Sequence, residues 1–224
     1  MSSSNSLAEA QSEQAVQQDR ARQITLAVNR IVHAVAKHWL LLANGAIAVY
    51  TALPVVPPVL MAAGRESLAK LAYALFAPLC HQLPERSFFL FGEKAAYTLA
   101  ELQGRLGPDV PLRYLGNPML GFKIAICQRD VAMNVAALLT GLAFALLHRR
   151  WRPISIRTFI LLCLPMAIDG FGQLLSWWES TWWSRVITGG LFGAACVLLA
   201  FPYIEAGMKD VRQVIPTDGD PTLS

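Results

Sequence analysis

Charge is scarce in this chain. Asp, Glu, Lys and Arg make up 15% of its 224 residues, against about a quarter in water-soluble domains, and the mean hydropathy is +0.41. Water is therefore not the solvent for most of its surface. The net charge is +4 and the pI near 9.0, but the basic residues do not gather into a stripe with interleaved aromatics, so no nucleic-acid footprint is read here. Also missing are a phosphate-cradling Gly-rich loop, a nucleophile elbow and an HExxH helix, which removes support from the common nucleotide-driven and hydrolytic mechanisms. No internal repeat is present, nor the alternating pattern of a membrane β-barrel. Residues 1 to 23 are polar and lack the apolar centre of a signal peptide, so insertion is expected to rely on the first span itself.

What the sequence does contain is long apolar runs. A hydrocarbon core about 30 Å thick takes roughly 20 apolar residues per helix, and four segments qualify: about 39–63, 131–147, 159–177 and 186–203. The expected fold is an all-α integral membrane protein, a bundle of about four transmembrane helices. Pro54, Pro57 and Pro58 should kink or unwind the second half of the first span. Residues 1–38 read as an N-terminal tail, disordered to about residue 22 and then an interfacial helix over 23–38, where Arg30, His33, Lys37 and His38 interrupt the apolar residues. Residues 204–224 read as a solvated C-terminal tail. Spans two and three are joined by His148-Arg149-Arg150-Trp151-Arg152-Pro153, with Arg157 close behind and no acid. Short basic loops stay in the cytoplasm, which puts both termini inside and the 66-residue loop 64–129 outside, in a multi-pass protein of the cell membrane. Leu68 to Leu79, Phe88 to Phe91 and Met119 to Ile126 are apolar enough for short helices on the outer face of the bundle. The Trp177-Trp178-Glu179-Ser180-Thr181-Trp182-Trp183 turn suits an aromatic belt at the outer headgroups.

Two clusters of reactive side chains fall on that outer side. One is Cys80-His81-Gln82-Leu83-Pro84-Glu85-Arg86-Ser87 and the other Cys127-Gln128-Arg129-Asp130. On a helix Cys127, Asp130 and Asn134 share a face, since spacings of three and four align. Cys80, His81, Cys127 and Asp130 supply two thiolates, an imidazole and a carboxylate, a set that zinc or iron accepts. The same thiols could form a disulfide on an oxidising face, or merely pack. A third cluster lies within the membrane: Asp169, with Gln173 one turn above it, and Arg185 as the expected partner. An ionisable residue inside a span costs about 3 kcal/mol on insertion scales and is normally paired. It is either functional or a clamp that fixes helix register. Gly189 and Gly193 form a GxxxG, read as close packing within the bundle or as a dimer face.

Taken together, Leu79-Cys80-His81-Gln82-Leu83-Pro84-Glu85-Arg86-Ser87-Phe88, Cys127-Gln128-Arg129-Asp130, Pro165-Met166-Ala167-Ile168-Asp169-Gly170 with Gln173, and Arg185-Val186-Ile187-Thr188-Gly189 with Gly193 resemble the membrane-protein family called domain of unknown function 2085, over roughly residues 70 to 200. The resemblance implies a multi-pass location and candidate residues, without a reaction. The family's second motif looks like Cys-x-Arg-Cys, and Asp130 stands here at its last position. A carboxylate can replace a thiolate at a borderline metal, whereas a CxxC redox pair would not survive the change.

The functional expectation is a membrane protein with a metal site of Cys80, His81, Cys127 and Asp130 at the bundle mouth, holding zinc or iron, with Glu85, Arg86, Arg129 and Asp169 as the candidate catalytic residues. The rival expectation is a transporter or an accessory subunit that uses the polar cluster of Asp169, Gln173 and Arg185. The bilayer is the expected partner in either case, with other membrane proteins or further copies of the chain beside it, and no nucleic acid.

Overall fold

In the computed structural model residues 2–147 and 151–215 are described. The elements in order are α1 (Ser2–Ala52), a 3-10 turn (Leu53–Val55), α2 (Val56–Ala62), α3 (Glu66–Phe76), β1 (Ser87–Leu90), α4 (Leu99–Leu106), β2 (Gly116–Asn117), β3 (Gly121–Cys127), α5 (Gln128–Leu147), α6 (Ile156–Leu174) and α7 (Trp182–Val214). Among the described residues four helical stretches are long and apolar enough to cross a membrane: Val16–Ala62, Gln128–Leu147, Ile156–Leu174 and Trp182–Val214. Their outward side chains are large and apolar, as at Leu146 (84% exposed) and Leu161 (66%), a surface that lipid stabilises and water does not.

The chain divides into two compact units, residues 1–42 with 203–224, and residues 43–202. In the first, helix covers residues 2–22 and 204–214, where tails without helix were expected. α1 is helical from Ser2, where disorder was expected to residue 22, and α7 runs on to Val214, past the expected end of the fourth span at 203. Trp39 Nε1 donates to Glu205, and Arg212 donates to Glu205 at 3.0 Å and to the Ala36 carbonyl at 2.6 Å. These charge-assisted bonds join the polar ends of the two helices, which a hydropathy reading ended too early. His148, Arg149 and Arg150 of the basic link, and residues 217–221 of the tail, lie outside the described residues.

In the second unit the prolines act as expected. α1 stops at Ala52, the chain passes through the 3-10 turn containing buried Pro54, and helix resumes at Val56. α2 ends in a Schellman motif: Gly64, at φ +73°, donates to Met61 O and Arg65 to Leu60 O. α5 and α7 meet at the GxxxG. A Cβ on Gly189 would lie 2.6 Å from the Arg129 carbonyl, and one on Gly193 would overlap the Met133 backbone, so the glycines serve contact within the bundle. Phe144 and Phe201 pack edge to face at 5.7 Å further along the same two helices.

The loop between the first two spans holds a sheet, where short helices were expected over 88–91 and 119–126. β3 is central, antiparallel to β1 on one side and β2 on the other. Gly-Phe-Lys-Ile-Ala-Ile-Cys is buried from Gly121 to Ile126, covered by α2 and α3, so, Lys123 apart, it shows the apolar run of a strand buried on both faces. Such a run is not distinguished from a buried helix by periodicity. Phe89, Tyr97, Leu102 and Leu120 form a small core beside it, and α4 carries a full capping box between Thr98 and Glu101.

Candidate functional site

β3 passes into α5 without a connecting residue, so Cys127 ends the strand and Gln128 starts the helix. The register pairs Ser87 with Cys127, which lays the Cys80 to Ser87 loop beside that junction. Three buried side chains hold the loop. Gln82 has φ +56°, rare for a non-glycine residue, and its Nε2 donates to Tyr73 O at 2.8 Å. The Tyr73 hydroxyl donates to Lys123 O, and Lys123 Nζ donates to Gln82 O. The ring closes α3, the loop and β3 onto one another. Burial draws the Lys123 ammonium down to about 8 and pushes the Tyr73 phenol up.

A second chain of bonds ties the loop to the helices. Ser87 Oγ donates to Leu83 O, Gln128 Nε2 to Ser87 O at 3.0 Å, and the Arg185 guanidinium to Gln128 Oε1 and Glu85 O, both at 3.1 Å. Arg185 is thus buried, at 6% exposure, with neutral acceptors.

At the centre, Cys127 Sγ donates to Asp130 Oδ2 at 3.1 Å. The ligand atoms of Cys80, Cys127 and Asp130 all lie within 4.8 Å of one another. Two sulfurs on one tetrahedral zinc at about 2.3 Å each stand about 3.8 Å apart, so a closing movement of an ångström or less suffices for one ion. All four cysteines are free thiols. Hydrogen bonding to Cys127 draws Cys80 down to about 6, and the same bond, with burial, pushes Cys127 up. His81 is exposed and stands outside the group of three, although it lines the same cavity. That cavity, of about 170 Å³, is walled by Cys80, His81, Arg86, Cys127, Arg129, Asp130, Gln173 and Arg185, with Leu79, Gln82 and Leu83.

The polar cluster of the third span is paired differently from expectation. Asp169 lies five residues from the end of α6, about 8 Å at 1.5 Å per residue, and so near the sheet-bearing end of the bundle and not mid-span. Its carboxylate accepts from Arg129, in an ion pair, and from the hydroxyls of Ser180 at 2.7 Å and Ser184 at 3.0 Å. Arg129 takes the place foreseen for Arg185 because the first turn of α5 is set against Gly189 of α7 and its guanidinium lies 3.7 Å from the Cβ position of Gly170 on α6. Of the remaining candidates, Gln173 and Arg86 reach the cavity. The Glu85 carboxylate lies 3.7 Å from Arg86 Nε, and Glu85 lines a different pocket, shared with Tyr97 and Trp182.

Sequence reasoning named Gln82, Gln128 and Ser180 within motifs without giving them a role, and passed over Tyr73, Lys123 and Ser184. Lys123 carried the one available signal, a lone charge inside an apolar run.

Comparison with known proteins agrees with the resemblance seen in the motifs. Residues 118–199 match the family described as "Predicted membrane protein (DUF2085)". The chain is also similar to an uncharacterized protein of Methanocaldococcus jannaschii, 26% identical over 132 residues, which are 58% of this chain and 66% of that relative. The chain thus spans just under two thirds of the relative's length. No solved structure matches.

Proposed function

We propose that this polytopic membrane protein binds a zinc or iron ion through Cys80, Cys127 and Asp130 and uses it in chemistry at the membrane surface. The observation that supports the reading is the convergence of three ligand atoms from a loop, a strand end and a helix start within 4.8 Å, on the wall of a cavity. Thiolate and carboxylate together suit a borderline metal. Three protein ligands with one position left open are the arrangement of catalytic zinc sites. His81, adjacent to Cys80, is a fourth donor within the chain's reach if the open position closes. A bound ion would supply Lewis-acid polarisation. The chain's own contribution would be positive charge from Arg86 and Arg129 against an anionic group in the cavity. Asp169 is fully engaged by Arg129, Ser180 and Ser184, so its role in this reading is to hold Arg129 and not to line a transport path.

We place the site on the outer face and both termini in the cytoplasm. The arginine-rich link joins the ends of α5 and α6 remote from the sheet, and basic short loops stay inside.

Elemental analysis of detergent-purified protein under reducing conditions tests the metal. Near-stoichiometric zinc or iron is expected in the wild type and lost in Cys127→Ala and Asp130→Ala. Folded wild type without metal overturns the proposal. Retention by His81→Ala would assign the open position, and loss would make His81 the fourth ligand.

A further inference from the structure

Arg185 is 6% exposed and makes no ion pair among the described residues. A buried guanidinium facing only neutral acceptors is strongly unfavourable unless an anion completes it. Two more arginines, Arg86 and Arg129, wall the same cavity, and in all three the Nε atom is buried without a hydrogen-bond partner. Within the cavity wall only Asp130 carries an acid, and it is engaged by Cys127. Arg129 is paired with Asp169 and Arg86 lies 3.7 Å from the Glu85 carboxylate, so Arg185 is the one of the three without an acid; all three wall a space of about 170 Å³, and planar forks are the side chains that match phosphate oxygens in pairs.

Arg129 also borders a second space. An apolar groove of about 330 Å³ runs from it along α6 and α7, lined by Cys163, Met166, Ala167, Phe171 and Phe192 among others. Phe171 and Leu174, on its wall, are 64% and 76% exposed, on a helix that lies in the bilayer, so hydrocarbon is the medium that fills it.

We propose that the two spaces together bind one lipid with a terminal, uncapped phosphate head, its phosphate among Arg86, Arg129 and Arg185 and one hydrocarbon chain in the α6/α7 groove. The charge complementarity selects the head, the groove selects the tail, and Arg129 joins them at the depth where the sheet-bearing end of the bundle meets the membrane. Basic pockets between transmembrane helices are known to take lipid head groups in this manner. The lipid site shares its cavity with the proposed metal but rests on the arginines, so the two fail separately.

The test uses full-length protein in detergent micelles, titrated with phosphatidic acid, phosphatidylcholine, diacylglycerol or inorganic phosphate, with bound ligand counted by native mass spectrometry and metal content measured on the same samples. Phosphatidic acid is expected to bind at least roughly tenfold more tightly than either phosphatidylcholine or diacylglycerol, and more tightly than inorganic phosphate. Arg86→Gln, whose side chain is 40% exposed and which clamps no helices, is expected to weaken phosphatidic acid binding about tenfold, the loss of one charge-assisted fork, at unchanged melting temperature and metal content. Ala167→Trp, filling the groove, is expected to weaken phosphatidic acid and leave phosphate unaffected. Equal binding of phosphatidic acid and phosphatidylcholine, inorganic phosphate binding as tightly as the lipid, or an Arg86→Gln variant that binds like wild type would each overturn the lipid site. Metal-free protein that still selects phosphatidic acid would overturn the metal alone.

Discussion

Lys123 is wholly buried in the middle of β3, and its effect on stability can be worked from its surroundings. Its ammonium donates to Gln82 O, but one carbonyl does not replace the water it has lost, and burial draws it from 10.5 down to about 8. A base whose folded pKa lies below its unfolded value binds fewer protons when folded, so stability rises with pH across the window from about 8 to about 10.5. One pKa unit is about 1.4 kcal/mol. Holding the charged form at neutral pH therefore costs about 3 kcal/mol, and integration gives a recovery of about 2 kcal/mol between roughly pH 7 and pH 9.5. Lys123→Met removes the ammonium and keeps most of the volume. Wild type and variant are to be unfolded reversibly by SDS titration of detergent-solubilised protein, with tryptophan fluorescence as the readout. The difference between the two curves carries the lysine contribution, while Cys80, Cys127 and Tyr73 titrate in both proteins. The wild type is expected to gain about 2 kcal/mol on the variant over that interval. A difference that stays flat, or falls, refutes the argument.

Other consequences can be checked with the same preparation. Asp169→Ala leaves Arg129 buried without its acid and removes two hydroxyl partners; breaking a buried pair costs about 3 kcal/mol or more in water, and somewhat less where the unfolded helix finds partners in detergent. The expected loss of about 2 kcal/mol shows as a lower melting temperature, whereas Gln173→Ala should leave that temperature nearly unchanged. Gly193→Leu drives a side chain into the Met133 backbone and is expected to destabilise by about 1–3 kcal/mol with no change in the oligomer distribution on light scattering. A stable variant with a changed distribution would instead make the GxxxG a dimer face. Thr98→Ala removes the capping box of α4 and should cost about 1 kcal/mol, read from hydrogen exchange in residues 99–106.

The parts of the fold that were legible in the sequence are those where one local property decides. Twenty-residue apolar runs gave the four helices, and the prolines gave the break after Ala52. Gly189 and Gly193 gave the close approach of α7 to α5. The sheet was not legible because β3 is buried on both faces and has no alternation to betray it. The pairing of Asp169 was missed for a different reason. From the sequence, Arg185 is the basic residue sixteen positions away on the next helix, and Arg129 is forty away, so proximity along the chain favoured the wrong one. The helix ends at residues 2 and 214 were missed because hydropathy stops at the polar residues, while the helix continues through Trp39, Glu205 and Arg212.

The four residues Cys127-Gln128-Arg129-Asp130 show how one short segment organises the whole site. A strand alternates its side chains and a helix rotates them by about 100° each, so a junction with no linker sends successive side chains in different directions. Cys127 and Asp130 turn to Cys80, Gln128 turns to Ser87 and Arg185, and Arg129 turns to Asp169 across α6. Insertion of one alanine between Cys127 and Gln128 keeps every residue and rotates the last three against the first. It is expected to abolish metal binding and to lower the melting temperature as much as Asp169→Ala does, while circular dichroism still reports a full complement of helix. Metal retained in that insertion variant would mean that the loop at Cys80 follows the junction wherever it turns, and that the Tyr73, Gln82 and Lys123 ring does not fix it.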